Sequence, residues 1–202
     1  MTTAWSRGRS LADAGQRRYA GIMAEPLPHS DMLIPAWDEG RLAPRDKLEV
    51  HRLGLRHPAV SVFVTAGDSL LIQRRALAKY HTPGLWANSC CTHPHWGEAP
   101  QACAERRLGQ ELGLTGLNLN HRGQIEYRAE VGNGMFEHEL VEVFLARVPA
   151  RPPLAPDPDE VMATRWIDFR ALFAEILREP QRFTPWLRIY LSDHAQMIFG
   201  PD

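Results

Sequence analysis

Cys91 and His93 lie two residues apart in the run Trp86-Ala-Asn-Ser-Cys-Cys-Thr-His93. A thiol near a metal or a cationic side chain can exchange protons or act as a nucleophile, whereas most free cysteines are small buried hydrophobes. The residues alone leave both readings open. In extended backbone, successive side chains alternate, so Cys90 points away from the side that Cys91 faces.

A second group is His51, His57, His93, Glu137 and Glu139. Imidazoles with carboxylates suit a divalent ion such as Zn²⁺, Mn²⁺ or Mg²⁺, and two Glu at i and i+2 on one strand face can converge on a single ion. Nine histidines in 202 residues also scatter over a surface by composition alone, and no HExxH or other compact ligand motif is present. His29, His81, His95, His121, His138 and His194 are read as surface residues, with His95 and His138 the nearest to supporting roles. A third group, Lys47, Arg75, Lys79 and Arg107, could hold a diphosphate by charge-assisted bonds with Mg²⁺ as bridging counterion, or could be solvated surface cations.

Bulk properties bound the possibilities. A formal net charge of −1 and a 23% charged fraction describe an ordinary globular chain with no general attraction for nucleic acid or a membrane surface. Three cysteines, two of them adjacent, fit neither a disulfide framework nor a CxxC zinc site, so a reduced cytoplasmic protein is expected. No apolar run reaches membrane-spanning length, and the chain after Arg17-Arg18 turns polar too early for a twin-arginine address. The expected partner is a small molecule, and the expected state is a monomer.

The elements that must position these groups read as α+β. Residues 1–30 are polar and punctuated by Pro26 and Pro28, a loosely ordered extension; residues 31–202 are expected to form one domain. A hairpin follows from Met32, turning at Asp38-Glu39-Gly40, with Pro35 marking a sheet edge. Lys47–His57 reads as loop. Ala59–Thr65 and Ser69–Arg75 form a hairpin, and so do Gln124–Glu130 and Glu137–Arg147 around Val131-Gly-Asn-Gly134. Ala99–Leu112, with Pro100 near its start and Gly113 after it, is a helix. Val161–Ile167 is a strand, Asp168 caps a helix to about Arg178, and a last helix covers Thr184–Phe199. Along Glu137–Leu145, alternation sets Glu137 and Glu139 at the mouth of a face that continues as Val141, Val143 and Leu145. Without regular βαβ alternation, the pattern predicts a mixed sheet sandwiched between helices.

The helix supplies the comparison that ties these groups together. Thr92–Leu114 resembles a Nudix box, Gly-x5-Glu-x7-Arg-Glu-U-x-Glu-Glu-x-Gly-U with U bulky and aliphatic, and has Glu98, Arg106, Leu108, Glu111, Gly113 and Leu114 in place. It departs at Thr92 for Gly, Arg107 for Glu and Gln110 for Glu. Losing two carboxylates removes the metal charge that phosphoanhydride hydrolysis needs to activate water. With Trp86-Ala-Asn-Ser-Cys-Cys-Thr-His-Pro, Arg74-Arg-Ala-Leu-Ala-Lys79, Tyr127-Arg-Ala129, Glu137-His-Glu139 and Thr184-Pro-Trp186, the chain resembles the type I isopentenyl-diphosphate isomerases from about Leu33 to Trp186.

That resemblance implies a Nudix-like fold and the interconversion of isopentenyl and dimethylallyl diphosphates through a carbocation-like intermediate. It implies that Cys91 and Glu139 are the catalytic pair, with Tyr127 beside the carboxylate. His51, His57, His93, Glu137 and Glu139 would ligate one divalent ion (Mn²⁺, Zn²⁺ or Mg²⁺), and Glu111 would hold Mg²⁺ with the substrate diphosphate. Lys47, Arg75, Lys79 and Arg107 match diphosphate-binding positions, and Trp186 an active-site aromatic. Trp86, Trp186 and Tyr127 are expected as walls for the cation. The rival readings are a Nudix hydrolase, opposed by Arg107 and Gln110, and a diphosphate-sensing module, which would not need Cys91 and Glu139 together.

Overall fold

The computed structural model describes residues 33–201, so the expected extension lies outside the described residues. The first hairpin pairs β1 (Leu33–Asp38) with β2 (Arg41–Asp46), Pro35 opposite Pro44, in a two-stranded sheet that is all edge and so tolerates both prolines. Its two turn residues, Glu39 and Gly40, both have positive φ (47° and 77°), the backbone of a tight two-residue turn.

Lys47–Leu53 is a helix, α1, and not the expected loop. Seven mixed residues carry too few turns to show periodicity, but the ends are well marked. The Asp46 side chain accepts a hydrogen bond from the Glu49 N–H at 2.9 Å, and Gly54 closes the helix at φ 63°. The main sheet has seven strands, in the order β5 (Trp86–Ala87), β4 (Ser69–Arg75), β3 (His57–Ala66), β8 (Met135–Arg147), β7 (Asn120–Gly132). In addition, β6 (Cys90–Thr92) pairs with β3 and β9 (Val161–Asp168) with β4. β3 and β8 run parallel while the other pairs are antiparallel, so the sheet is mixed as expected.

Alternation along the strands divides the interior in two. On one face Val60, Val62 and Val64 pack with Cys90 and with Cys103, Ala104, Leu108 and Leu112 of α2 (Pro100–Leu112). On the other, Ala59, Phe63, Val141, Val143 and Leu145 pack with Trp186, Leu187 and Tyr190 of α4 (Pro185–Asp193) and with Leu172 of α3 (Phe169–Arg178). The expected single last helix is two, because His194 leaves the helical region at φ −127° and α5 (Ala195–Phe199) restarts the chain, setting the Phe199 ring 5.3 Å from Phe63. Among the described residues no helix is long and apolar enough to cross a membrane.

Gly113 ends α2 at φ 70°, and a Cβ there would lie 2.8 Å from the Ala155 Cβ. Gly113→Ala should therefore lose about 2 kcal/mol, combining a left-handed backbone penalty of ~1–2 kcal/mol with the clash. Urea unfolding measures this, and an unchanged midpoint would contradict it.

Candidate active site

Strand register assembles the centre. Tyr127 on β7 faces Glu139 on β8, Glu139 lies beside His57 at the start of β3, and Cys91 on β6 faces Ser61 further along β3. α1 supplies Lys47 and His51 from one side, and His93 follows β6. His51, His57, His93, Glu137 and Glu139 are all buried.

The tautomers of two histidines follow from their partners. His51 Nδ1 is 2.5 Å from the Lys47 carbonyl and His57 Nδ1 is 2.7 Å from the Leu55 carbonyl. A carbonyl only accepts, so both Nδ1 atoms carry protons, and the neutral tautomer that this selects turns an Nε2 lone pair inward. Those Nε2 atoms lie 3.1 and 3.3 Å from Glu137 Oε2, and His57 Nε2 lies 3.1 Å from His93 Nε2. Burial, more than the neighbouring charges, holds His93 well below its usual pKa and so neutral. Lone pairs and a carboxylate oxygen facing one another at this range repel unless positive charge lies between them. Glu137 Oε2 is buried without a hydrogen-bond partner among the described residues, and one donor atom each of His51, His57, His93 and Glu137 falls within 4.8 Å of the others. This donor set fits a divalent cation.

Glu139 adjoins the cluster. Its Oε1 is 3.1 Å from His93 Nε2, and its Oε2 accepts from the Tyr127 hydroxyl at 2.5 Å. Burial, then the charge of Glu137, pushes its carboxyl up to about 8 with no cation present; a bound cation acts in the opposite sense.

The Cys91 thiol has a built environment. Asn88 Nδ2 donates to the Val62 and Cys90 carbonyls at 3.0 Å each, which turns Asn88 Oδ1 towards Cys91 Sγ at 2.8 Å. Ser61 Oγ is 3.0 Å from the same sulfur and donates to the Tyr190 hydroxyl at 2.9 Å. Burial pushes the thiol up, more than these hydrogen bonds lower it, so Cys91 is protonated at neutral pH. Cys90 is buried against α2, as alternation requires.

The four cations also come together. Lys47, Lys79 and Arg107 line an outer cavity of about 410 Å³ and, with Arg75, an inner recess of about 40 Å³ that reaches Cys91, Tyr127, Glu137, Glu139 and Trp186. Burial lowers the pKa of both lysines, that of Lys79 to about 8. Glu160, unassigned in the sequence, pairs with Lys79 and lies 3.2 Å from Arg107 Nη2. Glu111 stands apart from the histidine cluster, accepting from Arg107 at 2.6 Å and from Gln73 at 2.8 Å.

Two expectations change. His81 is not a surface residue: it is buried, with Nε2 3.0 Å from Glu137 Oε1. Trp86 does not line the recess; its ring lies under the Arg165 guanidinium at 4.9 Å, and Tyr80 takes a place in the lining. Residues that sequence reasoning passed over, Asn88, Ser61, Tyr80 and Glu160, carry polar types common on any surface. Only Asn88 gave a signal, by lying within the run that contains the thiol.

Comparison with known proteins identifies the family. A family model described as the NUDIX domain matches residues 55–187. Isopentenyl-diphosphate Delta-isomerases from Cereibacter sphaeroides and Rhodobacter capsulatus are each 61% identical, over 83% and 85% of this chain and 95% and 98% of their own lengths. The chain belongs to the isopentenyl-diphosphate Delta-isomerase family of Nudix proteins. Solved structures agree on the fold alone: a Deinococcus radiodurans protein gives a TM-score of 0.62 at 14% identity, covering 83% of this chain and 98% of its own. A MutT Nudix hydrolase from Burkholderia pseudomallei gives 0.55 at 20%, covering 69% and 98%.

Within this isomerase, the retained box residues have structural work. Glu98 accepts two bonds from Arg106, both 2.7 Å, and one from the His95 N–H at 2.8 Å, which holds its carboxyl down at about 2 and ties the loop to α2. Two of the altered residues bond each other on the exposed side of α2: Arg107 donates to Gln110 Oε1 at 3.1 Å, and the retained Arg106 donates to the same oxygen at 3.1 Å.

Alkylation of Cys91 by iodoacetamide, followed by mass spectrometry, should rise with pH and reach its midpoint above the ~8.5 of a free cysteine. A midpoint near neutrality would contradict the protonated thiol.

Proposed function

We propose that this isomerase interconverts isopentenyl and dimethylallyl diphosphates, supplying isoprenoid biosynthesis, with Cys91 and Glu139 as its proton-transfer pair. The observation that carries the reading is that a thiol and a carboxylate–tyrosine pair open onto one recess beneath a cluster of four cations. The reaction adds a proton to the terminal methylene carbon and removes one from the carbon next to the oxygenated end. Charge at the tertiary carbon between them is therefore transient, and two groups must act on the same substrate.

Lys47, Lys79 and Arg107 hold the diphosphate in the outer cavity with Arg75 at the inner recess, which leaves the five-carbon tail directed to the recess. Trp186 and Tyr127 line that recess; their π faces tolerate a carbocation and keep water from it, worth about 2 kcal/mol where desolvated. Cys91 enters the cycle with its proton, held towards Asn88. Glu139, whose Oε2 accepts from the Tyr127 hydroxyl, takes the proton that leaves the substrate.

His51, His57, His93, Glu137 and Glu139 would hold the first divalent ion, Mn²⁺, Zn²⁺ or Mg²⁺. When bound it supplies fixed positive charge that sets the protonation of Glu139. Glu111, whose oxygens accept from Arg107 and Gln73, would hold a second ion, Mg²⁺, together with the diphosphate. The chain acts as a monomer in the cytoplasm, on a small molecule and with neither nucleic acid nor membrane.

Incubation with isopentenyl diphosphate and Mg²⁺, followed by proton NMR and a phosphate-release assay, tests the reading. Dimethylallyl diphosphate without phosphate release is expected; phosphate release alone would mean a hydrolase and sink the proposal. Cys91→Ala should lower turnover by about 10²–10⁴-fold at unchanged metal content. His93→Ala should lower metal content itself, and full metal occupancy in that variant would count against this ligand set.

A further inference from the structure

His81 belongs to the loop between β4 and β5, and it is buried with both ring nitrogens engaged. Nε2 lies 3.0 Å from Glu137 Oε1 and Nδ1 lies 3.1 Å from Thr82 Oγ1. A carboxylate accepts only, so Nε2 carries the proton and donates it to Oε1, while Nδ1 accepts from the Thr82 hydroxyl. The ring is further held by stacking on His51, with centroids 5.4 Å apart and planes at 26°, and by the Trp186 edge at 5.9 Å.

The backbone that delivers it is built for the purpose. Thr82 is β-branched yet adopts φ 45°, a left-handed conformation that such residues avoid. The His81 carbonyl accepts from Arg75 Nη2 at 3.1 Å, so the loop is fastened on both sides of the ring. A histidine serving only to fill space would need neither an unfavourable backbone nor a carboxylate partner.

We infer that His81 is a positioning residue that makes Glu137 a one-oxygen ligand, by occupying Oε1 and leaving only Oε2 to face His51 and His57. The inference rests on the metal centre proposed above. Without the His81 donor, the Glu137 carboxylate is free to rotate or to offer both oxygens, and the directed donor set described above is lost. Supporting hydrogen bonds of this kind change metal affinity by about 10–100-fold.

The test measures binding of Zn²⁺ to the full chain by competition with a chromophoric chelator, and the visible spectrum of the Co²⁺-loaded chain. His81→Ala should weaken Zn²⁺ binding by about 10–100-fold and alter the Co²⁺ bands. His81→Gln, whose amide nitrogen reaches the place of Nε2, should recover most of the affinity and the parent spectrum. His81→Asn, with an amide too short to reach Glu137, should behave like Ala. Unchanged Zn²⁺ affinity in the Ala variant, or equal loss in Gln and Asn, overturns the inference while leaving the metal centre intact. If His81→Ala does not fold, the Gln and Asn pair decides on the same criterion. A parent chain that takes up no Zn²⁺ overturns the centre and this inference together.

Discussion

The parallel pairing of β3 with β8 governs the rest of the molecule. A parallel pair cannot be closed by a tight turn, so the chain between them must cross over, and that crossover carries β4, the cysteine strand, α2 and β7. The same register lays His57 beside Glu139. Because β4 meets β3 only at Thr65 and Ala66, the rest of β3 is free to take β6 as its neighbour, which brings Cys91 opposite Ser61. Core packing and site geometry are thus consequences of one strand pairing, with α2 on one face and α4 on the other.

Electrostatics then explains why the centre is assembled as it is. Backbone carbonyls take the outward Nδ1 protons of His51 and His57, which leaves the inward nitrogens as donors of lone pairs. Carboxylates facing them make the cluster unfavourable by itself, and sheet register with its buried surroundings keeps it from relaxing. The thiol is treated oppositely: it is kept uncharged by burial and oriented by Asn88. One end of the recess is thereby suited to charge and the other to a neutral proton carrier.

Much of this was legible in the chain. Period-two alternation in Glu137–Leu145 predicted both acids on one face, and Pro100 with Gly113 bounded α2. The Cys90/Cys91 division followed from the same alternation. Two things were not readable. Helix α1 is shorter than the window in which periodicity shows, so its evidence lay in the Asp46 and Gly54 caps alone. His81 looked like one histidine among many because its role depends on a left-handed backbone at Thr82, which no local pattern announces.

The pairing of Glu160 with Lys79 and Arg107 changes how ligand capture should be pictured. The cationic cavity is partly neutralised from within, at Lys79 and Arg107, so under the proposed function an arriving diphosphate exchanges with a tethered carboxylate there rather than filling an open positive field. The gain is a difference between two ion pairings, and it is smaller than four uncompensated cations would give. The tethered acid stays in place, so on that same proposal the exchange run backwards helps each product leave.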